Sequence, residues 1–79
     1  MKTLITVDLE PRMSTDSKTV TLYENEGYFS LVTDNNKPNF DPEEAEESID
    51  DILKYRLARA IRRQEYMIEK VTTAINSIR

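Results

Sequence analysis

The 38 residues from Pro42 to Arg79, PEEAEESIDDILKYRLARAIRRQEYMIEKVTTAINSIR, contain neither glycine nor a second proline. They are dominated by Ala, Leu, Ile, Glu, Arg and Lys, the residues that lose least on entering a helix, so the stretch predicts helix nearly to its end. Its start is well marked. Asp41 can cap, Pro42 suits the first helical position, Glu44 completes a capping box, and Phe40 is placed to staple onto Ala45. About 37 helical residues would reach ~55 Å, whereas a strand of six covers about 20 Å. Two outcomes follow. Either the rod breaks, with Ser48-Ile49-Asp50-Asp51 as a second capping box, or it overhangs its platform and hides an apolar stripe against another molecule.

Working back from that helix, the first 33 residues read as strands. Ile5, Val7 and Leu9 alternate with Thr6 and Asp8 until Pro11, and Val20 and Leu22 alternate with Thr19, Thr21 and Tyr23. Gly27, the single glycine of the chain, falls where a short hairpin loop needs positive φ, and Tyr28 to Thr33 supplies a third strand. Short connections favour a sequential antiparallel meander. The expected fold class is therefore α+β, one β-β-β-α domain over residues 1–79: a three-stranded meander and one long C-terminal helix with a potential break near Ser48–Asp51.

The helix carries two apolar stretches. Ile49, Leu53 and Leu57 continue as Ile61, Gln64, Ile68, Val71, Ile75 and Ile78 at alternating steps of four and three, a short heptad seam. The first part suits packing on the sheet. The second, Ile68, Val71, Ile75 and Ile78, could serve the same purpose or pair with a second copy. Gln64 interrupts it at a core position.

Charge is segregated within a net −4. Residues 1–40 sum to −2, residues 41–51 to −7 with no base, and residues 52–79 to +5. The acidic run Glu43, Glu44, Glu46, Glu47, Asp50 and Asp51 could dock on a basic surface in place of phosphates, or be a solvated first helical turn favoured by the helix dipole. Arg56, Arg59, Arg62 and Arg63 form a basic counterpart, with Arg56, Arg59 and Arg63 spaced to share one helix face, as phosphate binding requires. Solvated pairing with neighbouring acids is the simpler use of those arginines. Tyr28 and Tyr23 could anchor a contact or support cross-strand packing.

Several classes of function lose their footing. With no His and no Cys there is no conventional nucleophile–base pair or zinc site, and the five serines, Ser14, Ser17, Ser30, Ser48 and Ser77, have no partner pattern around them. The glycine-containing spacing of a calcium loop is missing, and one glycine cannot build a phosphate loop. No enzyme activity, metal or cofactor is expected. No apolar run approaches the ~20 residues that span a bilayer, and no signal peptide is evident, so the cytoplasm is the expected location.

The order of a strand pair, Glu26-Gly27-Tyr28-Phe29-Ser30-Leu31, a polar loop, Asp41-Pro42-Glu43-Glu44-Ala45 and a long charged helix resembles small phage-encoded inhibitors of host machinery, anti-CRISPR proteins among them. The resemblance is one of size, acidity and layout. It implies a non-enzymatic plug acting in the host cytoplasm on a protein or nucleoprotein complex with a basic surface. Combined with the residues, it favours docking through Glu43, Glu44, Glu46, Glu47, Asp50, Asp51 and Tyr28. A nucleic-acid module using Arg56, Arg59, Arg62 and Arg63, and a homodimeric adaptor using Ile68, Val71, Ile75 and Ile78, are the alternatives.

Overall fold

The computed structural model describes residues 2–41 and 46–78, Arg62 through its backbone alone. Three strands, β1 (Lys2–Asp8), β2 (Thr19–Asn25) and β3 (Tyr28–Thr33), form an antiparallel sheet in the order β1-β2-β3. Alternation places apolar partners on one face. Val7 pairs with Val20, and Leu22 pairs with both Ile5 and Leu31. On the opposite face the Thr6 and Thr21 hydroxyls lie 3.1 Å apart, and Phe40 stacks on Tyr23 with ring centroids 4.9 Å apart. The loop beyond residue 33 therefore folds over the side of the sheet turned away from the helices.

The β2–β3 hairpin closes through Glu26 and Gly27, with φ of 53° and 86°. Two successive positive φ values match the right-handed twist of the strands. Gly27 accepts its share at no steric cost. Glu26 does not, because its Cβ crowds the backbone in the left-handed region.

The helical half differs from the single rod expected. Pro42, Glu43, Glu44 and Ala45, which carry the first capping box and the staple, lie outside the described residues. Residues 46–48 are not helical: Glu47 exchanges both backbone hydrogen bonds with Phe29, at 2.8 and 3.2 Å, and so extends the sheet edge. The second capping signal is the one in use. Ser48 is the N-cap, its hydroxyl accepting from the Asp51 amide at 3.1 Å, and helix α1 follows over residues 49–60.

Within α1 the turns widen over Ile52–Arg56, where the Leu57 amide donates to the Ile52 carbonyl five residues back. This wider spacing brings Ile52 and Leu57 into the core, both fully buried, while Ile49 and Leu53 of the expected stripe are only partly covered. The backbone then leaves helical geometry at Ile61 (φ −123°, ψ 36°) and again at Gln64 (φ −131°, ψ 41°). Helix α2 (Ile68–Ser77) resumes after this break. The meander followed by a C-terminal helix is as expected, but the interruption falls at residues 61–64, with Ser48 marking the start.

The break solves the length problem. An unbroken helix over residues 49–77 would measure about 43 Å. The longest dimension of the molecule is 35 Å. Bent at Ile61–Gln64, α1 lies against β3 and α2 against β1. Ile52, Leu57 and Ile61 then share one core with Met67, Val71, Ile75 and the inner faces of the strands.

Two expectations for stability follow. Truncating Ile75, fully buried, to alanine should cost about 2–5 kcal/mol, read from urea unfolding; an unchanged midpoint would contradict its place in the core. Glu26→Asn should raise stability by about 1 kcal/mol, because asparagine tolerates the left-handed turn better; a loss of stability would contradict the turn geometry.

Candidate functional site

The acidic residues do not form one helical array. Glu46 and Glu47 precede α1 in non-helical chain, Asp50 and Asp51 lie in its first turn, and Glu43 and Glu44 lie outside the described residues. Glu47 is already engaged: its Oε1 accepts from Arg56 Nε at 2.8 Å. Both side chains of that pair are partly exposed, so it contributes about a few tenths of a kcal/mol to stability. The continuous carboxylate ladder expected from the sequence is thereby corrected. Glu46, Asp50 and Asp51 remain exposed around the start of α1.

Two exposed tyrosines lie on the elements that adjoin this segment. Tyr28 opens β3 and is 57% exposed, and the antiparallel Phe29–Glu47 bridge carries it alongside the Ser48 cap. Tyr55, one turn beyond Asp51, is 65% exposed. Tyr23, by contrast, is occupied by its stacking with Phe40. The sequence pointed to Tyr28, whereas Tyr55 went unassigned because its exposure depends on the rotation of α1.

The arginines are distributed by the helix break. Arg56 is paired with Glu47, while exposed Arg59 has no ion pair or hydrogen bond to a described residue. Arg63 lies beyond Ile61, so the expected single helix face of Arg56, Arg59 and Arg63 is not continuous. Its Nη1 donates to Thr15 Oγ1 at 3.2 Å and Met13 Sδ at 3.6 Å, and stands 3.6 Å from Asp16 Oδ1. The side chain of Arg62 is outside the described residues.

The proposed self-association seam is spent on the protein's own core. Val71 and Ile75 are fully buried and Ile68 is partly covered, leaving Ile78 exposed at 41%. A second copy cannot reach Val71 or Ile75 without opening the fold. The heptad spacing was real, but its partner is the sheet.

The β1–β2 loop clasps the break. Buried Gln64 donates through Nε2 to the Ser17 carbonyl at 2.8 Å, and the Tyr66 hydroxyl donates to the Glu10 carbonyl. The Arg12 guanidinium lies 4.7 Å from the Tyr66 ring centroid, within cation–π range. Buried Asp16 orders the loop itself, its Oδ2 accepting from the Arg12 and Met13 amides, both at 3.1 Å. Between this loop, residues 33–36 and the break lies a cleft of about 440 Å³, with Arg59, Arg63 and Gln64 in its wall. Sequence reasoning marked Gln64 only as an interruption of an apolar seam. That interruption was the available signal.

Asp34 closes the adjoining corner. Its Oδ1 accepts from the Lys18 amide at 2.8 Å and the Thr19 amide at 3.1 Å. Partial burial is the largest influence on its carboxyl and raises the pKa. The amides of Thr19 and Lys18, with Asp34's own backbone and the Lys18 charge, together outweigh it and hold the group below its ordinary value.

Among the described residues no cluster of three or more His, Cys, Asp or Glu could hold a metal ion, and no helix is long and apolar enough to cross a membrane. Comparison with protein-family models, curated proteins and solved structures finds no match.

The Asp34 arrangement sets a pH dependence. A carboxyl whose pKa is depressed on folding stabilises the protein above its unfolded value, about 4, and loses that contribution as pH falls through the folded value. The stability deficit of Asp34→Ala should therefore be full at neutral pH and shrink in acid, measured by urea unfolding across the range. A deficit that stays constant into strong acid would contradict the amide cradle.

Proposed function

We propose that the chain is a non-enzymatic binding protein that docks on a basic protein surface through the start of α1, with Glu46, Asp50, Asp51 and Tyr55, and with Tyr28 at the start of the neighbouring strand β3. The observation that carries this is the 65% exposure of Tyr55 beside the carboxylates of the first turn of α1. Tyrosine brings a large, rigid contact surface with a polar tip, and is enriched where truncation costs binding energy. The surrounding carboxylates supply complementarity to Arg and Lys, which raises the encounter rate and fixes orientation. The fold supports such a role, because Ser48 and the Phe29–Glu47 bridge hold the start of α1 in place.

An inhibitor acting on host machinery, as the likeness to phage-encoded plugs implies, fits this chemistry: acids flanked by aromatics can occupy a surface built for nucleic acid. The host cytoplasm is the setting we infer for it. Direct nucleic-acid binding has less support, since Arg56 is paired with Glu47 and Arg63 is engaged by Met13, Thr15 and Asp16.

Capture from host lysate with wild-type protein, followed by affinity measurement on the recovered partner, tests the assignment. Tyr55→Ala should weaken binding by about ten-fold or more, and Asp50→Asn with Asp51→Asn should slow association and flatten its salt dependence. Undiminished affinity in both variants, with folding intact by circular dichroism, would overturn it. So would a partner that proves to be nucleic acid alone.

A further inference from the structure

We infer that the outer edge of β3 takes a short extended segment of another protein, with an acidic residue opposite Leu31. Glu47 is the template for it. Its backbone exchanges both hydrogen bonds with Phe29, and its carboxylate accepts from Arg56 Nε of α1 at 2.8 Å. An extended acidic residue on this edge is thus held twice, by the strand and by the helix beside it.

Two residues further along, the same fittings stand open. The Phe29 amide and carbonyl face away from β2, and β2 pairs with β3 without a bulge, so the alternation of the ladder turns the Leu31 N–H and C=O outward as well. The Asp34 amide, of opposite parity, donates inward to the Thr19 carbonyl at 3.1 Å, as that alternation requires. Among the described residues neither Leu31 group has a hydrogen-bond partner, and the Phe29–Glu47 bridge stands alone. The edge is also reachable. A cavity of about 290 Å³ is lined by Ser30, Leu31 and Val32 in succession, with Phe40 and Arg56 in its walls. Successive strand side chains point to opposite faces, so a space that touches three in a row lies against the edge itself. A second cavity, of about 260 Å³, shares Leu31 and Arg56 with the first and continues to Thr33 and Arg59.

Charge selects the occupant. Arg56 is neutralised by Glu47, whereas Arg59 has no ion pair to a described residue. Leu31 lies two residues beyond Phe29, on the same face of the strand, and Arg59 lies about one helical turn beyond Arg56. A side chain opposite Leu31 therefore points toward Arg59 as that of Glu47 points toward Arg56. Backbone pairing supplies affinity in such strand addition, and the alternate side chains supply specificity. The Thr33 carbonyl already accepts from the Asn36 amide at 3.0 Å, which ends the open edge there and keeps the segment short. The docking surface at the start of α1 is not involved, because neither Tyr55 nor Asp50 takes part.

The probes are capped peptides titrated into the ¹⁵N-labelled full chain by NMR: acetyl-Thr-Val-Glu-Val-Thr-amide, its counterpart with Gln for Glu, and its counterpart N-methylated at the Glu nitrogen. The acidic peptide should saturate with a dissociation constant on the order of millimolar, with its largest shift at the Leu31 amide, which should also exchange more slowly with solvent. Changing Glu to Gln in the peptide, or Arg59→Gln in the protein, should each weaken binding about two- to five-fold. Making both changes should cost no more than either alone. The N-methylated peptide has lost the donor for the Leu31 carbonyl and should not bind. No saturable shift at Leu31 would overturn the assignment, equal affinity for the Glu and Gln peptides would refute the acidic class, and undiminished binding of the N-methylated peptide would refute strand addition. A Leu31 shift that grows with protein concentration before peptide is added would give the edge to a second copy and overturn it equally.

Discussion

The bond from Gln64 to the Ser17 carbonyl sits where the whole architecture turns. A small sheet offers strands of about 20 Å, and the apolar stripe of the C-terminal half is twice that length if drawn on one straight helix. The stripe can be buried within one molecule only if the helix breaks, and breaking it exposes backbone and leaves two short helices that need anchoring. The β1–β2 loop provides the anchor. Gln64, Arg63 and Tyr66 each reach across to it, so the turn of the chain at Ile61–Gln64 is fixed by contacts from residues 47 to 56 positions earlier.

Much of the fold was visible in the residues. Alternation at Ile5, Val7 and Leu9, the β-branched run at Thr19–Leu22 and the lone Gly27 located all three strands, because period-two burial and a positive-φ turn are local demands. Ser48 as a cap was also legible. The break was not, because residues 61–64 contain no glycine or proline and every local propensity there favours helix. What overrides propensity is tertiary: the need to bury Val71 and Ile75 on β1 and the hydrogen bonds offered by the β1–β2 loop. Gln64 at a core position was the one trace of this in the sequence. The same limit explains the acidic segment. Its composition describes a helix start, while the edge of β3 holds Glu47 in extended chain through two backbone bonds.

The break also separates the polar surfaces by purpose. Glu47 and Arg56 neutralise one another at the base of α1, and Arg63 is held by the β1–β2 loop, so the charge segregation evident along the sequence is partly cancelled in space. What remains outward is specific: Tyr55 with Asp50 and Asp51 at the start of α1, Tyr28 at the start of β3, and Arg59 near the end of α1. A straight helix would have displayed all of these charges along one rod. The folded chain displays them at two ends of a short one.

The most direct test is an isotope-filtered NOE experiment on a sample mixing labelled and unlabelled chains. If α2 folds back on its own sheet, methyl contacts from Val71 and Ile75 to β1 appear as intramolecular signals, unchanged on dilution, and the amide connectivities lose helical character at Ile61 and Gln64. Contacts seen only between differently labelled chains, with unbroken helical connectivity through residues 60–65, would contradict the account.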